Sequence, residues 1–154
     1  MGYEIKLIIG EVGTSGDKYK RSDVGEVDGN SVYYPYLKDS LGNLIKTKVK
    51  ETYFMVAAQV DLCKPGYNSS ILNALRKNED PNHEYYYYGY DGNTRVTEDC
   101  YGDKSDIHSI DEIINALRKD VEDSDYRRFK WALSLLESIK ENGGSELKVM
   151  WYGY

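Results

Sequence analysis

The sequence predicts an α+β domain: a mostly antiparallel sheet of about five or six strands with three helices packed on one face. Three observations carry that expectation. Apolar and polar residues alternate at both ends of the chain, an Asp-Gly turn separates two strand-like runs in the middle, and three stretches in the second half repeat apolar residues at helical spacing. With 154 residues, the chain is expected to form a single α+β domain spanning 1–154, within the usual size of one domain. A chain of this length buries roughly 68–70% of its unfolded surface, so its core needs no disulfide or structural metal.

Tyr3, Ile5, Leu7 and Ile9 fall on one side of the first strand, with Glu4 and Lys6 opposite. Ile8 breaks the alternation and implies cover on both faces. The polar stretch Gly13 to Asp23 reads as an exposed loop. Asp28-Gly29-Asn30 and Leu41-Gly42-Asn43 are turn signals around Val32 to Leu37, where Pro35 removes a ladder donor and predicts an edge strand. Leu44 to Leu62 reads as one long strand or a bent pair. Its first half is lysine-coated, and its second half, Tyr53 to Val60, is apolar on both faces and therefore central.

Asn68 or Ser69 can cap a short helix from Ser70 to Lys77. Asn78 to His83 is a loop. Glu84 to Tyr90 and Thr94 to Tyr101 flank Asp91-Gly92-Asn93 and predict a hairpin. Ser109 with Glu112 three residues later matches a capping box, opening a helix whose stripe is Ile110, Ile113, Ile114, Leu117 and Val121. Ser124 is the expected cap of a third helix carrying Tyr126, Phe129, Leu133, Leu136 and Ile139, and Asn142-Gly143-Gly144 stops it. The last strand alternates Leu147, Val149 and Trp151 with Lys148, Met150 and Tyr152. It is expected beside the first strand and the Tyr53–Leu62 strand at the centre of the sheet.

The charge distribution narrows the function classes. Net charge is −6, and residues 79–125 hold fourteen acids against four bases. Long nucleic acid, which needs cations to displace its counterions, is therefore not an expected partner, whereas a basic protein is. Charge runs also commonly form nothing more than solvated faces. The longest apolar run, Phe54 to Ala58, falls far short of a membrane span, and the start has no signal-peptide pattern. Cys63 and Cys100 lack the number and spacing of a disulfide framework or a redox pair. A cytoplasmic location is expected.

Motifs for chemistry are sparse. His83 and His108 have no other metal ligand at zinc-site spacing, and no phosphate-binding glycine loop or nucleophile elbow occurs. Asp91-Gly92-Asn93-Thr94-Arg95 begins like a calcium loop but places Arg95 where an oxygen ligand belongs. No catalytic residue, metal or cofactor is assigned. Glu98, Asp99 and Asp103 leave open a carboxylate-dependent hydrolase, in which Asp99 or Asp103 would carry turnover, although adjacent strand residues point to opposite faces.

The positive signal is tyrosine, present 16 times against two Phe and two Trp. In Tyr85-Tyr86-Tyr87-Tyr88-Gly89-Tyr90, one set of rings can pack on the helices and leave the other as a ladder bordered by acids. Tyrosine is also simply a favoured strand residue whose cross-strand pairs stabilise hairpins. The candidate binding residues are Tyr86, Tyr88, Tyr90, Arg95, Glu98, Asp99, Tyr101 and Asp103. The expected function is a non-enzymatic binding protein engaging a basic macromolecular partner. The alternatives are a nucleotide-binding protein, with rings stacking and Arg95 facing phosphate, or a homo-oligomer joined through the rings.

The run Asp91-Gly92-Asn93-Thr94-Arg95-Val96-Thr97-Glu98-Asp99-Cys100-Tyr101-Gly102-Asp103, in a short acidic chain, resembles small uncharacterised proteins of bacterial viruses. The resemblance covers the hairpin and the two helices after it. It implies an accessory role, such as binding and blocking a host factor, and carries over no functional residue.

Overall fold

A computed structural model describes residues 4–19, 23–27, 30–34, 36–38, 44–46, 48–77, 83–89 and 91–154, with backbone alone over 16–49. The expected turns at Asp28-Gly29 and Leu41-Gly42-Asn43, the edge role of Pro35, the loop Asn78 to Asn82, and Tyr3 and Tyr90 lie outside these residues.

The fold is α+β. The described residues form ten strands: β1 (Ile5–Tyr19), β2 (Asp23–Val27), β3 (Asn30–Tyr34), β4 (Tyr36–Lys38), β5 (Leu44–Lys46), β6 (Lys48–Cys63), β7 (His83–Tyr88), β8 (Arg95–Val96), β9 (His108–Ser109) and β10 (Lys148–Gly153). Three helices, α1 (Ser70–Leu75), α2 (Ile110–Asp123) and α3 (Arg127–Ile139), complete it, and a π-turn over Lys140–Gly144 follows α3. Six strands make the main sheet in the order β8-β7-β6-β1-β10-β9, and β2-β3 and β4-β5 form two small antiparallel pairs. As expected, β6, β1 and β10 are neighbours at the centre. All main-sheet pairings are antiparallel except β6 with β7, which is parallel.

The helices cover one face. Ile5, Leu7 and Ile9 of β1, Leu62 of β6 and Val149 and Trp151 of β10 share a core with Ile71, Leu72 and Leu75 of α1, Ile113, Ile114 and Leu117 of α2, and Phe129, Ala132 and Leu136 of α3. Each of the Ile, Leu, Val and Phe side chains contributes about 1.5–3 kcal/mol by leaving water. Ile8, on the other parity, joins Phe54, Tyr85, Tyr87 and Met150 in a second core on the opposite face. Its break in alternation therefore has the expected cause.

Capping follows the sequence at two helices. Ser69 Oγ accepts from Leu72 N at 3.3 Å, and Ser109 Oγ accepts from Glu112 N at 3.2 Å. At α3 the expectation is corrected: the helix begins at Arg127 after Tyr126, and Ser124 Oγ accepts only the Tyr126 amide, at 3.2 Å. Tertiary bonds set that start. Tyr126 Oη donates to Leu62 O at 2.6 Å and Arg128 to Asp61 O at 3.0 Å, pinning the first turn of α3 to the end of β6.

Two further corrections concern strands. Gly13 to Tyr19 is not a loop; it continues β1, with Ser15 to Tyr19 opposite Thr52 to Lys48 of β6. Backbone pairing with a strand already in place outweighs the weak strand propensity of Gly, Ser and Lys. A register shift between Val12 and Ser15 absorbs one extra residue. The second hairpin strand, expected from Thr94 to Tyr101, is only Arg95–Val96. Beyond it, Asp99 Oδ1 accepts the amides of Tyr101 and Asp103, each at 2.9 Å, and this local turn displaces the ladder.

β1 and β6 extend past the helices. Among the residues whose side chains are described, none of β1 beyond Ile9 and none of β6 before Ala58 belongs to the helix-side core. A register shift at Ile9/Gly10, opposite Ala58 and Val56, marks that boundary. Gly10 is required there, since a Cβ would lie 2.1 Å from Met55 O. Among the described residues, no helix packs on the far half of the helix-side face. Among the described residues, no helix is long and apolar enough to cross a membrane.

Candidate functional site

The alternation of β7 separates its tyrosines as the pattern requires, but the buried set packs away from the helices. Tyr85 and Tyr87, 7% and 6% exposed, lie in the second core rather than under α1–α3. The reason is register: β7 runs parallel to β6 with Thr52 opposite Tyr85 and Tyr53 opposite Tyr86, so Tyr85 follows Phe54 onto the face away from the helices. Burial, with the Tyr152 phenol and the Asp99 carboxylate nearby, pushes the Tyr87 phenol well above its ordinary value.

Tyr86 and Tyr88 emerge on the far half of the helix-side face. There they meet Tyr53, with ring centroids 5.4 and 5.7 Å from it, and pack edge to face with each other at 6.1 Å. Gly13 lies beneath Tyr53, where a Cβ would sit 3.2 Å from the ring. The Arg95 guanidinium is centred 3.6 Å above the Tyr86 ring and ion-pairs with Glu51. Tyr88 remains 46% exposed, and Met55, two residues from Tyr53 on the same face, 48%. Tyr53, Glu51 and Met55 were missed from the sequence. Tyr53 and Met55 fall in the run read as apolar on both faces and central, Glu51 just before it, and only the register of β7 brings them beside Tyr86 and Tyr88.

The candidate acids lie elsewhere. Asp99 is buried by the loop that crosses the opposite face, and its carboxylate organises that loop. Glu98, Asp99 and Asp103 line, with Tyr87, Ser105 and Trp151, a void of about 10 Å3. That is room for one water at most. Tyr101 is 56% exposed on this loop, which is tied to the main sheet by Cys100 N donating to Gly153 O at 3.3 Å. The structure thus brings Tyr86, Tyr88 and Arg95 together and sets Glu98, Asp99, Tyr101 and Asp103 apart from them; Tyr90 lies outside the described residues.

The hairpin tip closes over Gly89 to Thr94. Gly89 N donates to Thr94 O at 2.7 Å, and Asp91 accepts the amides of Asn93 and Thr94 and the Thr94 hydroxyl. Those three bonds hold the Asp91 carboxyl at about 2, below its ordinary 3.8. Residues 91–106 carry five acids and two bases. Both bases are engaged by strand acids, Arg95 by Glu51 and Lys104 by Glu84. Asp91, Glu98 and Asp103 are exposed and make no ion pair among the described residues.

Both histidines have local partners. His108 is buried, with Nε2 3.1 Å from Leu75 O at the end of α1. His83 Nε2 lies 2.5 Å from Thr52 Oγ1, which is 2.8 Å from Ser15 Oγ, and Tyr85 Oη is 3.2 Å from His83 Nδ1. This row joins β1, β6 and β7 and satisfies the hydroxyl of Thr52, a residue only 1% exposed. Among the described residues, no group of three or more His, Cys, Asp or Glu could hold a metal ion.

The structure thus defines an α+β domain with a partly exposed tyrosine cluster on one sheet face and an acidic loop on the other. Comparison with known proteins finds no matching family model, curated protein or solved structure.

Proposed function

We propose that this chain is a non-enzymatic binding protein that engages a basic macromolecular partner through the β7–β8 hairpin and the sheet face beside it. The observation that carries this reading is the cluster of half-buried Tyr53 and Tyr86 with exposed Tyr88, on a hairpin that leads into a loop whose own cations are already engaged. Tyrosine-rich patches supply large contact area at low entropic cost, and unpaired surface acids favour a basic partner and speed its encounter. Blocking a host factor, the role implied by the resemblance to small viral proteins, is one use of such a surface. A nucleotide is less well served. Its phosphate would have to take Arg95 from Glu51, and the void beside Asp99 admits no base.

The test is capture at low salt from the native host's lysate, using wild type and a Tyr88→Ala/Glu98→Gln/Asp103→Asn variant. Basic proteins retained by wild type, released by about 0.5 M salt and lost in the variant are the expected result. Identical retention by both proteins would remove the reading.

A further inference from the structure

We propose that the outer edge of β1, with the cleft beside it, docks a short extended segment of a partner that places a lysine or arginine side chain in the cleft. The site uses none of the residues of the tyrosine cluster. β10 accompanies β1 from Ile5, opposite Gly153, only to Gly10, opposite Lys148. Among the described residues, no strand pairs with that side of β1 from Glu11 onward. Glu11 to Ser15 are exposed. Such an edge offers its amides and carbonyls to an added strand. The register shift between Val12 and Ser15 twists the edge beyond it, which keeps the added pairing short.

The cleft selects the side chain. Where β10 leaves the edge, Glu11, Ile139, Asn142, Glu146 and Leu147 line a space of about 440 Å3, a size usual for ligand sites. The π-turn after α3 forms its wall. Gly143 there has a φ of +97°, and a Cβ on Gly144 would lie 2.5 Å from Ile139 Cγ2, so both positions require glycine. The charged groups of the lining are all acidic. Glu11 and Glu146 are exposed and make no ion pair among the described residues. Asn142 donates its amide N–H to Ser138 O at 2.7 Å, which leaves its carbonyl oxygen to accept. Of the bases nearest in sequence, Lys140 is engaged by Asp111, and Lys148 shares the parity of Met150 on the other sheet face. Ile139 and Leu147 suit the aliphatic stem of a lysine or arginine, and the carboxylates suit its head. An acidic side chain is repelled.

Fluorescence anisotropy at low salt tests this with labelled nine-residue peptides of alternating lysine and threonine or glutamate and threonine. Two further forms of the lysine peptide are N-methylated at every lysine or at every threonine, which removes the amides of one edge or the other. Wild type is expected to bind the lysine peptide and not, measurably, the glutamate peptide. Glu11→Gln/Glu146→Gln should weaken the lysine peptide about fivefold, and one of the two N-methylated forms should lose at least as much. Tyr88→Ala should leave its affinity unchanged, with circular dichroism confirming that both variants fold. No binding by wild type, equal binding by the Glu11/Glu146 variant, or full binding by both N-methylated forms overturns the site. Loss in Tyr88→Ala alone moves the basic segment to the tyrosine cluster, sustaining that reading and overturning this one. A wild-type dimer that excludes the lysine peptide assigns the edge to a second copy of the chain and likewise overturns the site.

Discussion

Asp120 belongs to α2, is 5% exposed, and directs both carboxylate oxygens to another helix, accepting Ser70 N at 2.7 Å and Ile71 N at 2.8 Å. It therefore satisfies the first turn of α1, a six-residue helix too short to be stable alone. Asp120→Ala leaves those amides without their acceptors and should cost about 2–4 kcal/mol in urea unfolding. Asp120→Asn, which keeps one acceptor oxygen, should lose less. The sequence could not show this role. Asp120 sits among Lys119, Glu122 and Asp123 as one more charged residue of an acidic helix end, and its partner is fifty residues away. The N-cap Ser109 was legible because donor and acceptor lie three residues apart.

At the scale of the element, the β7–β8 hairpin joins a turn that was legible to a pairing that was not. Asp-Gly marked the reversal correctly, and the Asp91 carboxylate holds its tip. That carboxyl is depressed from 3.8 to about 2, so its contribution to the tip is complete above pH 3.8 and is lost as pH falls through about 2. An NMR titration should find the Asp91 midpoint near 2, and Thr94→Val, which removes the strongest of the bonds, should move it up toward the ordinary value. The parallel pairing of β7 with β6 has no local signal. It follows from a long-range register, Lys50 opposite His83 through Tyr53 opposite Tyr86, and that register decides which tyrosines are buried.

Across the whole molecule, the two sheet faces are covered by different means, helices over part of one and a loop on the other, and two phenols with raised values make the fold sensitive to alkali. Burial holds the Tyr87 phenol above its ordinary 10.0, and a hydrogen bond to Asp61 does the same, most strongly, for Tyr154. Groups whose values are raised by folding contribute stability that is present below their unfolded value and lost as pH rises toward the folded one. Urea midpoints should therefore fall as pH rises above about 10, and less steeply in Tyr87→Phe than in wild type. Taken by itself, the sequence determined the α+β class, the central trio β1, β6 and β10, the Ser109 cap and the division of the tyrosines by parity. Each of these rests on a period or spacing within one short segment. Only the tertiary structure decided that β1 and β6 outrun the helices, that Tyr53 joins Tyr86 and Tyr88 on the helix-side face, and that Asp99 and its neighbours sit on the other. Those outcomes depend on the register between strands distant in the chain, where a slip of one residue would exchange the faces without altering any local pattern.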